Sequence, residues 1–411
     1  MVLNYILSIF FILFPVSLVA GVFYSNLVIS VLAIYGLYLS LKKKNWYVYK
    51  NFFVRFFLLF YLYICIRSFY SIDPLLSLES SITYVRFLFF ALAVYFLINN
   101  NRNILKYFTI SLISILLFVS FDAFYQYIYG INIFGWAQQD PERVSSFFRE
   151  ELILGSFVSR LTPLTIIFLV ILFDTSKIFN KLFVIFLILI LAAAIFISGE
   201  RTALFFFLLS TSISILLISK VRIYYVLSMA SLLVCAGILS FLNPNFKSRM
   251  ISDTINQMNI GSKFDDIKIF SEHHERLYFS AIKMFQHNPI VGHGPKTFRL
   301  LCSKPEFNPG ACSTHPHHTY LQLFAEIGIV GTFFVLTFFV FISYKLFNKF
   351  IRIYFLHNSF RDDALVLTLL ICMLISLWPF SPSANFFSSW INGFYYLPLG
   401  IYFYENFKKN N

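Results

Sequence analysis

The chain has 411 residues, 59% of them hydrophobic and only 12% charged, and its mean hydropathy is +0.75. A soluble fold of this length cannot bury so much apolar surface, so lipid must cover the remainder. The formal charge of +13 does not mark a nucleic-acid binder, because the basic residues punctuate apolar segments instead of forming one patch.

A helix crossing a hydrocarbon core of roughly 30 Å needs about 20 mainly apolar residues. Such runs predict about twelve membrane helices, at 3–20, 25–41, 51–68, 82–98, 105–128, 152–173, 181–198, 202–219, 223–242, 319–344, 364–380 and 388–405. The 55 Phe and 25 Tyr suit lipid-facing surface and interfacial anchors. Residues 1–20 lack a basic n-region and a convincing cleavage site, so this stretch reads as a retained first helix. The plan is an all-α polytopic membrane protein. Helices 1–9 fall in 1–242, a large extracytoplasmic loop with short helices fills 243–318, and helices 10–12 fall in 319–411. Residues 272–287, ending before Asn288-Pro289, predict one loop helix. No internal repeat or matched pair of interrupted helices is evident.

Short cytoplasmic loops retain Lys and Arg. One side receives Lys42, Lys43, Lys44 and Lys50, then Arg102 and Lys106, Lys177 and Lys181, Lys220 and Arg222, the stretch from Lys345 to Arg361, and Lys408 and Lys409. That side is the cytoplasm, with both termini. The opposite connections hold few basic residues, chiefly Arg67, Arg143, Arg149 and Arg201, mixed with carboxylates.

Chemistry concentrates at four places. His315-Pro316-His317-His318-Thr319 stands where the chain re-enters the membrane, followed by Glu326, Gly328 and Gly331. Pro316 suits the first turn of a helix, with Thr314 or His315 as its cap. A neutral imidazole beside such an end can accept a proton; interfacial histidines without a role, or a metal site, are the other readings. Ser198-Gly199-Glu200-Arg201 sets a guanidinium at headgroup depth, either for phosphate oxygens or as a partner of Glu200. His273-His274-Glu275-Arg276 opens the loop helix, which could lie on the membrane with Leu277, Ile282 and Phe285 facing in. Arg143 begins a polar stretch, and Arg160 and Arg86 lie inside apolar runs, where an ionisable group implies a carboxylate, a water-filled cavity or a lipid phosphate. Glu326 could pair with one of them. No Asp-x-Asp pair occurs in the outside loops, so arginines rather than a metal would carry leaving-group charge.

Of five cysteines, Cys65, Cys235 and Cys372 sit in apolar runs, whereas Cys302 and Cys312 share the polar loop. In an oxidising compartment those two could form a disulfide.

At these residues the sequence resembles the O-antigen ligase and polymerase family of bacterial envelope glycosyltransferases. Arg143 to Leu154 with Gly155 resembles the family's Arg-x-Ser-Gly-x-Phe region, with Ser146 where glycine is usual. Ser198 to Arg201 resembles its Ser/Thr-Gly-x-Arg connection, and Arg276 with Pro289, Gly292 and Gly294 its loop helix. His315 to Gly331 resembles its His-x-His-Asn-x-x-Leu-Gln element, with His318 at the asparagine position. The resemblance implies a GT-C-like, inverting, metal-independent enzyme without a cofactor, in the bacterial inner membrane. Its partners would be membrane lipids, an undecaprenyl-diphosphate-linked glycan and a lipid A core or other glycan acceptor on the periplasmic face, with no nucleic acid. It also implies that Arg201 and Arg276 hold the diphosphate and that His317 activates the acceptor hydroxyl, with His318 the rival base. Arg143, Arg160, Arg86, His315, His318 and Glu326 are the candidate substrate-binding residues. An O-antigen ligase is the preferred reading. A polymerase, a protein O-glycosyltransferase and, from another class, a transporter or flippase are the alternatives.

Overall fold

The computed structural model describes residues 2–42, 46–173, 175, 177–242, 270–308, 310–356 and 363–408. Residues 243–269 of the expected loop lie outside the described residues, as do Lys43, Lys44, Arg361 and Lys409 of the orientation pattern. Among the described residues the regular elements are helical, and the only pairing of extended backbone is the isolated bridges Ile131 with Ala137 and Asp140 with Arg143.

In chain order the α-helices are α1 Val2–Ile12, α2 Phe14–Ala20, α3 Val22–Lys42, α4 Phe52–Phe69, α5 Pro74–Tyr84, α6 Arg86–Asn100, α7 Ile104–Tyr129, α8 Leu154–Leu172, α9 Ile178–Ile197, α10 Arg201–Leu217 and α11 Ser219–Leu242. After them come α12 Glu272–His287, α13 Phe298–Leu301, α14 Thr319–Tyr354, α15 Ala364–Ser376 and α16 Ser389–Lys408. Among the described residues seven candidate membrane spans satisfy both length and apolarity: α3, α4, the continuous stretch Pro74–Asn100, α7, α8, α9 and α14. Helices α10 and α15 are apolar but shorter. The protein is therefore a polytopic all-helical membrane protein.

The differences from the expected spans have local causes. The segment 3–20 divides at Leu13, with Pro15 in the first turn of α2, where a missing N–H costs nothing. Asp73 accepts from Leu76 N at 3.1 Å and so starts α5 eight residues ahead of the expected 82–98 span. The loop helix α12 spans the residues expected, 272–287.

The chain divides into two compact units. The first comprises Met1–Val28, Leu97–Asn256 and Tyr344–Ser376. Here α8 packs against α7, α9, α10 and α15. Apart from Ser156 it is buried from Leu154 through Leu169, which explains why its sequence is largely apolar all round rather than striped.

The second unit comprises Ile29–Phe96, Gln257–Ser343 and Leu377–Asn411. Phe338 of α14 stacks on Phe53 of α4 at a centroid distance of 5.4 Å and meets Phe56 edge to face at 5.3 Å. Under the loop, Leu277, Ala281 and Met284 of α12 form a core with Phe298, Leu301, Cys302, Phe307 and Ala325. Their spacing of four and three places them on one helical face. Ile282 and Phe285 are half-buried, and Phe285 packs on Phe324 at 5.1 Å. Truncating Met284 to alanine would cost about 2–5 kcal/mol.

Candidate active site

In the second unit, the helix at the histidine motif starts later than Pro316 predicts. It begins at Thr319, and His317 holds φ 54° just ahead of it. Position 318 is the N-cap. The His318 carbonyl accepts from Gln322 N at 2.9 Å, and its ring Nδ1 accepts from Leu321 N at 3.3 Å. Asparagine is among the best N-cap residues, and the histidine here fills that capping position. Thr319 N donates to Ser383 Oγ at 2.6 Å, and Ser383 N donates to the His317 carbonyl at 2.9 Å, so the segment before α16 clamps the turn from outside.

This division of labour separates the two candidate bases. His318 is buried, its Nδ1 lone pair is engaged, and burial pushes its pKa down to about 4. His317 is half-buried, and its Nε2 lies 3.4 Å from Ser313 Oγ. Burial and, secondarily, the charge of His273 lower its pKa from the ordinary imidazole value, which keeps the ring neutral and able to accept a proton. The His315 ring centroid lies 4.1 Å from that of His317. Its pKa falls to about 3, first through burial and then through His317 and Arg299.

Among the described residues Glu326 forms no ion pair with an arginine. Its Oε1 accepts from Phe298 N at 3.1 Å and its Oε2 from Gln322 Nε2 at 3.1 Å. The same Gln322 nitrogen donates to Asn385 Oδ1 at 3.0 Å, while Gln322 Oε1 accepts from Phe386 N at 3.0 Å. Glu326 thus ties the 293–298 turn to α14 and to the segment before α16. Gly294 N and His293 N add bonds to the Glu326 and Ala325 carbonyls, at 2.6 and 3.1 Å.

Two residues on, α14 breaks at Gly328, φ 64° and ψ −170°. The freed Ile329 N and Val330 N donate to the Pro289 and Ile290 carbonyls at 2.9 and 3.2 Å. A Cβ at Gly292 would land on the Glu326 and Ile327 backbone, and one at Gly328 on Ile290. These glycines allow close backbone approach; they are not a phosphate loop. Arg67 of α4 donates from Nε to the Val291 carbonyl at 2.9 Å and from Nη2 to the Gly292 carbonyl.

Arg276 is exposed and pairs with Glu272 one turn earlier. A Cβ at Gly310 would lie 3.2 Å from its Nη1. Arg86 donates from Nη2 to Ser389 Oγ at 2.8 Å. Cys302 and Cys312 are joined by a disulfide, Cα–Cα 5.1 Å, which closes the chain between α13 and the histidine motif.

In the first unit, Glu200 turns to the start of α8. Its Oε1 accepts from Gly155 N at 2.6 Å, and its Oε2 from Ser156 N at 3.2 Å and Ser156 Oγ at 2.8 Å. An anion suits these N-terminal N–H groups. Desolvation nevertheless raises the Glu200 pKa. A Cβ at Gly155 would collide with Ser198 Oγ, and Gly199, at φ 65°, lies against Glu142 and Arg143, so the glycines of both motifs serve close packing. Arg143 donates to the Leu152 carbonyl at 2.9 Å. Arg160 donates to the Ser156 carbonyl at 3.2 Å and stacks on Phe206 at 4.8 Å. Arg201 is half-buried at the first position of α10. Ser146 takes φ 51°, the conformation glycine adopts most easily, and is held there by Gln126 Oε1, 2.7 Å from its N–H, and by the Asp122 carboxylate at its hydroxyl.

Residues 185–336 match the family model described as O-Antigen ligase. This match supports an assignment to the O-antigen ligase and polymerase family. The match contains Arg201, Arg276, His315, His317, His318 and Glu326, whereas Arg86, Arg143 and Arg160 lie outside it. Comparison with curated proteins gives no match. The match points to a glycosyltransferase-like membrane enzyme whose partners, in general terms, are a lipid-linked glycan and an acceptor.

Sequence reading missed Ser383 and Asn385. The polar break Ser381-Pro382-Ser383-Ala384-Asn385 between two apolar runs was the available signal for both.

Proposed function

We propose that the protein is an O-antigen ligase, transferring glycan from undecaprenyl diphosphate to a sugar hydroxyl of the lipid A core on the periplasmic face. The acceptor oxygen attacks the anomeric carbon while His317 takes its proton. The bond from that carbon to the diphosphate oxygen breaks, configuration inverts, and the diphosphate leaves as an anion. The guanidinium groups of Arg201 and Arg276 take up its charge, so no metal is required. The observation that carries this reading is the half-buried His317 ring, outside the helix and engaged only weakly by Ser313, in a chain whose residues 185–336 match this family's model.

Purified protein in lipid nanodiscs with lipid-linked glycan and lipid A core tests it. Arg201→Ala, Arg276→Ala and His317→Ala should each slow transfer by about 100-fold or more, and a chelator should leave the rate unchanged. Wild-type rates in all three variants would sink the catalytic reading, and strict loss of activity in EDTA the metal-free one. In cells lacking the gene, a gel of lipopolysaccharide should show no attached chains. Single-repeat caps would instead mark a polymerase, and an intact ladder a protein glycosyltransferase.

A further inference from the structure

Lys296 and Arg299 lie three residues apart in the turn between α12 and the end of α13, both half-buried. That turn is rigidly held. Besides the bonds to Glu326 and its neighbours, Ser77 Oγ of α5 donates to the Pro295 carbonyl at 2.8 Å. Lys296 itself sits at φ 62°, a backbone state that a non-glycine residue keeps only where its surroundings impose it.

Among the described residues neither cation has a carboxylate partner, and Arg299 Nε is buried with no acceptor. The nearby carboxylates are otherwise placed. Glu326 is turned to Phe298 N and Gln322, and exposed Glu79 forms no ion pair with Lys296. Burial lowers the Lys296 pKa; Glu79 opposes the shift, Arg299 adds to it, Glu326 opposes it and Arg86 adds to it, which puts these groups in one neighbourhood. Arg86 has one hydrogen bond, to Ser389, and its Nε too is buried without an acceptor. Arg299 in turn lowers His315, so the cations extend toward the histidine motif. Half-buried cations that form no ion pair among the described residues are costly, and a rigid frame that keeps three of them together suits a bound anion.

We propose that Lys296, Arg299 and Arg86 form a binding site for the oxygens of a phosphate or diphosphate group. Its assignment to the donor's diphosphate rests on the ligase reading; the anion site itself does not.

The test is binding of inorganic pyrophosphate, and separately of undecaprenyl diphosphate, to full-length protein in phosphatidylcholine nanodiscs by calorimetry. Lys296→Ala and Arg299→Ala should each weaken both ligands about tenfold or more, in line with loss of one charged hydrogen bond. Lys296→Arg and Arg299→Lys should recover most of the loss, which a merely structural role would not produce. Unchanged affinities in alanine variants that melt like wild type and keep the disulfide would overturn the proposal. Variants that lose binding yet transfer glycan at the wild-type rate would uphold the anion site and overturn its assignment to the donor. In phosphatidylglycerol nanodiscs, loss of pyrophosphate binding would show a headgroup occupying the site and likewise overturn the donor assignment.

Discussion

Replacing His318 and His317 in parallel separates a cap from a base. In His318→Ala, Leu321 N loses its acceptor at 3.3 Å, while Thr319 N keeps Ser383 Oγ at 2.6 Å and Gln322 N keeps the residue 318 carbonyl at 2.9 Å. One lost cap contact costs about 1 kcal/mol. Even if all of it fell on the transition state, transfer would slow by less than about tenfold, since 1.36 kcal/mol is one factor of ten. In His318→Asn the amide oxygen replaces Nδ1 as the acceptor, so the rate should stay within about twofold of wild type and the melting temperature should not fall. His317→Gln keeps a polar side chain but removes the proton acceptor, a loss of about 100- to 10,000-fold. The assay is single-turnover transfer to lipid A core, with a melting curve of each variant. An inactive His318→Asn beside an active His317→Gln would refute the assignment of roles.

The pH dependence follows from the same residues. The folded-state pKa of His315 is about 3 and that of His318 about 4, both below the ordinary 6.5, so the unfolded chain binds more protons between those values. Stability should be complete above pH 6.5 and decline as pH falls from there toward about 4 and then about 3, read as a falling melting temperature that is shallower in His318→Asn. The acid limb of the transfer rate should lie below pH 6.5, because the His317 pKa is lowered; a limb above 6.5 would count against His317 as the base. Gly328→Ala should destabilise by about 3 kcal/mol, because φ 64° with ψ −170° is open essentially to glycine and the new Cβ would meet Ile290. An unchanged melting temperature would contradict the break in α14. Glu200→Ala should cost about 3 kcal/mol by leaving Gly155 N and Ser156 N without acceptors, and Glu200→Gln less, since one oxygen remains; equal losses would show that charge matters more than acceptor count.

Much of the architecture was legible in the chain. Helix positions follow from apolar run length, which depends only on the cost of unsatisfied backbone in lipid. The loop helix 272–287 follows from a local apolar spacing and the Pro289 that follows it. The residues of the histidine and arginine motifs were visible as ionisable groups at the edges of apolar runs. Their roles were not. Whether position 318 is a base or a cap depends on Ser383, 65 residues later, holding Thr319 so that the helix starts one residue after it rather than at Pro316. Glu326 and Arg86 read alike as membrane charges seeking partners. Only the packed unit assigned Glu326 to a backbone N–H and a glutamine while leaving Arg86, Lys296 and Arg299 without carboxylates. Local sequence determines where a charge can stand. Which partner satisfies it is decided by segments far apart in the chain, because hydrogen bonds act over about 3 Å and only the tertiary fold brings those segments so close.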